Sequence, residues 1–303
     1  MSEPAPTAAV ASWMGDVDPS QLGFPLPVDK ARYTKEPGLV YKQTDAVPLQ
    51  LDAYRPTGAS APAPLVVMIH GGGWHQGGRF QMGLTRWAGY LASAGLAVVS
   101  IDYRLAPATR YPEPFEDCLD AIDWAVENAP ALGADPERIG LWGDSEGGHL
   151  VLLAATTQTR GDFAGPRLRS DPEALRGVVA WYPPTDLLDL HERAGGPALG
   201  ASIVQDFVGA TPEAEPERWQ AASPLAQAHA AAPPSLILQG TRDLLVPHDQ
   251  ATRYAARLDA LGTPVELHVV EGGSHGFDRV APGEEAKRLI SRSREFLCEV
   301  LAP

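Results

Sequence analysis

From residue 38 onward the chain alternates short apolar runs with longer stretches of helical periodicity, each separated by Gly, Pro or Asp. That alternation predicts an α/β fold with a mostly parallel sheet, because parallel neighbours need a crossover, usually helical, between them. Residues 39–43 and 47–54 alternate apolar with polar positions and predict an opening hairpin. Leu65-Val66-Val67-Met68-Ile69 is apolar without interruption, as a strand covered on both faces has to be. Further runs at 96–101, 139–142, 178–182, 236–238 and 265–270 predict a central sheet of about eight strands. Helical periodicity marks 81–94, 114–129, 146–158, 248–261 and 283–301, enough to cover both faces.

Two segments depart from the pattern. Residues 1–38 carry several prolines and little periodicity, and read as an irregular N-terminal arm or cap on a main domain of 39–303. Residues 183–225 break the alternation with Pro, Gly and Glu, and predict an insertion of short helices that forms a small cap over the strand ends.

Composition narrows the function. The 303 residues carry a net charge of −14, which argues against nucleic acid or an anionic membrane as partner, since either needs a basic face. No apolar stretch reaches the roughly 18 residues of a membrane span. The start, Met1-Ser2-Glu3-Pro4, lacks the positive region of a secretory signal, so the chain reads as cytoplasmic. The two cysteines, Cys118 and Cys298, each fall in a predicted helix and read as free thiols. The histidines form no ligand-like cluster, so neither a metal nor another cofactor is expected.

In open α/β sheets the functional loops lie at the carboxyl ends of the strands. Four elements fall there. Gly143-Asp144-Ser145-Glu146-Gly147 fits G-x-S-x-G, in which small residues let a strand turn sharply into a helix and expose a serine hydroxyl. Alone, the same spacing would also suit a helix cap at Asp144 or Ser145. His70-Gly71-Gly72-Gly73-Trp74 follows a buried strand, and its amides, with that of Glu146, are candidate donors to a developing oxyanion. Asp243 follows a late strand and His275 the next, in the order Ser, Asp, His. Rival groups are worse placed. Asp249 and His248 begin a helix, His268 lies in a strand, Asp278 follows the histidine it would orient, and His149 sits deeper along the helix. Trp74, Trp181 and Tyr182, near strand ends, are candidate substrate contacts.

With these residues assembled, the chain resembles the α/β-hydrolase esterases of the hormone-sensitive-lipase-like group, and within it the bacterial bifunctional feruloyl and acetyl xylan esterases. The resemblance rests on the motifs above together with Tyr103-Arg104-Leu105-Ala106-Pro107, Asp135-Pro136-Glu137-Arg138-Ile139-Gly140, Trp181-Tyr182-Pro183-Pro184-Thr185-Asp186 and Ser274-His275-Gly276-Phe277. It implies a Ser145, Asp243 and His275 triad, an oxyanion hole at Gly72, Gly73 and Glu146, and a small-molecule ester as partner; a homodimer is a separate expectation. The stretch Asp243-Leu244-Leu245-Val246-Pro247 with Gln250 looks closer to the feruloyl and acetyl branch. A hydrolase for lactones, carbamates or amides on the same triad, and a non-catalytic binding protein of the same fold, are the alternatives.

Glu146 departs from the family, whose members usually carry alanine there. A carboxylate about 6 Å from the oxyanion would cost roughly 3 kcal/mol at an effective dielectric near 20, about a hundredfold in rate. The side chain is therefore expected to turn away, to pair with a cation such as Arg79 or Arg104, to be protonated, or to engage a hydroxyl-bearing or cationic substrate. At the head of a helix the carboxylate is also favoured by the macrodipole, and its amide serves whatever the side chain does.

Overall fold

The computed structural model describes residues 26–58, 61–193, 201–279 and 283–303. Its strands are β1 (Tyr33–Lys42), β2 (Leu49–Pro56), β3 (Ala63–Ile69), β4 (Ala97–Ile101), β5 (Ala134–Asp144), β6 (Leu175–Trp181), β7 (Ser235–Gly240) and β8 (Val265–Val270). They form one eight-stranded sheet in the order β1-β2-β4-β3-β5-β6-β7-β8. The pairs β1/β2 and β2/β4 are antiparallel and all others parallel. The helices are α1 (Met82–Ser93), α2 (Glu113–Glu127), α3 (Ala129–Leu132), α4 (Glu146–Gln158), α5 (Leu187–Arg193), α6 (Ala201–Val208), α7 (Pro216–Ala221), α8 (Pro224–Gln227), α9 (Asp249–Ala260) and α10 (Glu284–Val300).

One difference from the sequence reading lies at the start. Residues 33–38 belong to β1 rather than to an irregular arm, because Tyr33, Thr34, Lys35 and Glu36 pair with β2 despite a mixed polar pattern. Most of the expected arm, residues 1–25, lies outside the described residues. Cys118 is buried in α2 and Cys298 exposed on α10, and both are free thiols.

Two apolar layers sandwich the sheet. Leu65, Val67 and Ile69 of β3 face one layer with α2, α4 and α9, while Val66 and Met68 face the other with α1 and α10. This is why the β3 run has no polar position: alternate side chains enter opposite cores. Helix α4 is buried along its whole length. A helix apolar nearly all round can only stand at the centre of a domain, and it fixes the residue before it.

That position requires small neighbours. A Cβ on Gly147 would be driven into the Ile69 carbonyl oxygen, and one on Gly143 into the Gly147 carbonyl. Backbone cannot swing aside as a side chain can. Gly147→Ala is expected to lose about 3 kcal/mol of stability, read from the urea midpoint at unchanged slope.

Candidate active site

Strand β5 ends at Asp144 and α4 begins at Glu146, which leaves Ser145 alone to make the turn. It does so at φ 52°, ψ −121°, a conformation a side chain rarely adopts and which costs on the order of 1–3 kcal/mol. Its amide donates to the Trp181 carbonyl at 2.8 Å, tying the turn to the end of β6. Among the described residues the other non-glycine positive φ values are at Trp74 and Tyr182, so backbone strain gathers round this one place.

The side chains complete a relay. His275 Nε2 lies 2.8 Å from Ser145 Oγ. His275 Nδ1 lies 2.7 Å from Asp243 Oδ2. The other Asp243 oxygen, Oδ1, accepts the Leu245 and Val246 amides, each at 2.9 Å, and Gln239 Nε2 donates to Oδ2 at 3.0 Å. The carboxylate thus accepts hydrogen bonds from every side, so His275 carries its proton on Nδ1 and turns a bare Nε2 toward Ser145. Burial alone would lower the His275 pKa, but the charge and hydrogen bond of Asp243, with Glu146 and Asp144 beyond, raise it above an ordinary histidine's.

The loop carrying His275 is braced from behind. Arg279 Nη2 stands 2.5 Å from Asp144 Oδ2, on the residue before Ser145. Burial opposes the Arg279 charge, but Asp144, Tyr182 and Asp278 hold it firmly protonated. Asp278 accepts the Tyr182 hydroxyl at 2.7 Å and the Trp87 indole at 3.1 Å. Sequence reasoning missed Arg279 and Gln239. No motif marks either: Arg279 meets Asp144 from a distant strand, and Gln239 reaches Asp243, four residues on, only because the loop after β7 folds back over it.

The loop after β3 supplies amides. Those of Gly73 and Glu146 have no acceptor among the described residues, while that of Gly72 donates to Glu146 Oε2 at 2.9 Å. Gly72 sits at φ 126°, and a Cβ there would collide with the Gln76 carbonyl, so only glycine can present this amide. The expected cation partners of Glu146 are engaged elsewhere. Arg79 binds Asp52, Asp102 and Gln50, and Arg104 binds Asp117.

The three aromatic candidates are frame rather than contact surface. Trp74 is fully buried, stacked on Phe207 with centroids 4.6 Å apart, and its indole donates to His149 Nδ1 at 3.3 Å. Trp181 is fully buried between Trp87 and Phe277, since its side chain points to the α1 and α10 layer. Tyr182 lies with its ring centroid 4.5 Å from that of His275 and packs against the imidazole. Each ring is already covered by protein, leaving no open face for a substrate. His149 is structural: burial lowers its pKa to about 4, and Nε2 donates to the Ala222 carbonyl at 2.7 Å.

The insertion after β6 reaches the same place. Helix α6 brings Phe207 onto Trp74, and Asp206 lies 3.3 Å from His75. Gln250 anchors the start of the insertion, its Oε1 accepting the Thr185 and Asp186 amides at 2.9 and 2.8 Å. A cavity of about 730 Å³ lined by Thr159, Pro172, Arg176 and Pro234 lies at the amino ends of β6 and β7, away from this site. Among the described residues no helix is long and apolar enough to cross a membrane, and no group of three or more side chains could hold a metal ion.

The chain is an α/β-hydrolase of the carboxylic ester hydrolase class. It belongs to the BD-FAE family, whose model matches residues 51–258. Esterase LipC of Mycobacterium tuberculosis is 32% identical to it over 97% of this chain and 77% of its own. An ethyl acetate hydrolase of Pseudomonas putida is 34% identical over 78% and 73%. Among solved structures, a thermophilic esterase of the planctomycete Thermogutta terrifontis superposes with a TM-score of 0.70 at 27% identity, covering 90% of this chain and 94% of that one.

Proposed function

We propose that the protein hydrolyses small or short-acyl carboxylic esters, acetyl or feruloyl esters among them, through a Ser145, His275 and Asp243 triad and an acyl-enzyme. The observation that carries this reading is the unbroken line from Asp243 Oδ2 through His275 to Ser145 Oγ, at 2.7 and 2.8 Å. Nucleophile, base and orienting acid stand within hydrogen-bond reach of one another.

His275 takes the Ser145 proton as Oγ attacks the ester carbonyl, and the oxygen of the tetrahedral intermediate draws on the Gly73 and Glu146 amides. The imidazolium then protonates the leaving alcohol. Water enters, gives a proton to His275, attacks the acyl carbon, and releases the acid with Ser145 restored. Asp243 stabilises the charged imidazolium throughout and needs no proton of its own.

The test is turnover of p-nitrophenyl acetate against the matched anilide, with its pH dependence. Ester hydrolysis that outruns the anilide is the expected result; preferred amide turnover would favour the amidase alternative. A protonated His275 cannot act as base, so kcat/KM falls as pH drops through the raised His275 pKa. The acid limb is expected above pH 6.5, the ordinary histidine value. A limb at or below that value would contradict the part given to Asp243.

A further inference from the structure

The Glu146 side chain is only half engaged. The residue is 2% exposed and follows the nucleophile directly. Its Oε2 takes the Gly72 amide at 2.9 Å, and no other hydrogen-bond partner stands by the carboxylate among the described residues. Of the three amides placed to stabilise an oxyanion, one is therefore met by a carboxylate of the protein itself. The nearby guanidinium groups are committed, Arg79 to Asp52 and Asp102, Arg104 to Asp117, and Arg279 to Asp144.

We infer that Glu146 is a specificity-determining residue that selects esters carrying a hydroxyl or ammonium donor one or two atoms from the scissile carbonyl. The inference rests on the function proposed above and names its substrate class. An ester carbonyl that settles on the Gly73 and Glu146 amides brings its flanking atoms beside Gly72. Negative charge then grows on its oxygen next to the carboxylate. A plain alkyl ester leaves two poor choices. Either Glu146 stays on Gly72 and the oxyanion has two donors, or it lets go and a buried carboxylate is stranded without a partner, which is costly.

A donor on the substrate removes the conflict. It receives Glu146 as the carboxylate leaves Gly72, and the freed amide turns to the oxyanion. The exchange involves no net loss of hydrogen bonds and places a third donor where charge develops. A site built to accept a hydrogen bond from a substrate discriminates against the analogue that lacks it, since its own polar group is then left unpaired. An anionic acyl chain meets repulsion in the same place.

The experiment uses the purified full chain as wild type, Glu146→Ala and Glu146→Gln. It measures kcat/KM for ethyl lactate against ethyl propionate, and for alanine ethyl ester against monoethyl succinate. The lactate-to-propionate ratio is expected to fall about tenfold or more in Glu146→Ala, relative to wild type. Glu146→Gln keeps most of that preference, because its amide oxygen still accepts, but loses the preference for the ammonium ester over the anionic one. Ratios in Glu146→Ala within about twofold of wild type overturn the inference while leaving the proposed function standing. Absence of Ser145-dependent turnover of every one of these esters overturns both. A ratio is unaffected by the fraction of each variant that folds.

Discussion

Ser145→Ala is expected to lower ester turnover by roughly 10⁵- to 10⁶-fold while leaving the folded structure intact. Without Oγ no acyl-enzyme can form, and the remaining amides and binding contacts give only residual catalysis. The fold should tolerate the change because alanine carries the same Cβ as serine into the strained turn at φ 52°, and the Ser145 amide still reaches the Trp181 carbonyl. Only the hydroxyl bond to His275 is lost, about 1 kcal/mol. Covalent labelling by a fluorophosphonate, strong in wild type, should vanish with it. Labelling that survives the substitution would place the nucleophile elsewhere.

Asp243→Asn is expected to reduce kcat by about 10⁴-fold, for a reason the hydrogen bonds around it supply. The Leu245 and Val246 amides both donate to Oδ1, so an asparagine keeps its carbonyl oxygen on that side. Its NH₂ group then faces His275 Nδ1 and Gln239 Nε2, where the carboxylate oxygen had accepted. A donor opposite Nδ1 moves the imidazole proton to Nε2, and the nitrogen facing Ser145 is no longer a base. Steady-state rates from acidic to alkaline pH check this. A loss of less than tenfold would mean that His275 is held in its working tautomer by something other than Asp243.

Much of this arrangement is legible in the chain because it is local. The β3 run had to be a strand buried on both faces, and a buried helix, α4, had to follow Ser145, since apolar positions fill every side of it. The order of Ser145, Asp243 and His275 after their strands placed all three at one edge of the sheet before any distance was known. What could not be read depends on the third dimension. Trp181 is a case: its place at a strand end suggested a pocket, but the alternation of the strand turns it into the opposite layer, against Trp87. Residues 39–43 announced the second half of β1, but its first half, residues 33–38, gave no clear signal because edge pairing with β2 supports polar residues that no core would hold. Glu146 is the other case. Its hydrogen bond to Gly72 joins residues 74 positions apart, which no periodicity could foretell.

The proposed base and nucleophile are held by parts of the molecule with very different protection from solvent. Ser145 precedes a helix enclosed on all sides, whereas His275 hangs from the loop after β8, an edge strand whose residues are all at least partly exposed. Fluctuations that fray the margin of the sheet would therefore displace His275 before they disturb Ser145. Heat or denaturant can switch such an enzyme off while most of its core is still intact, and the brace from Arg279 to Asp144 joins the vulnerable margin to the durable centre.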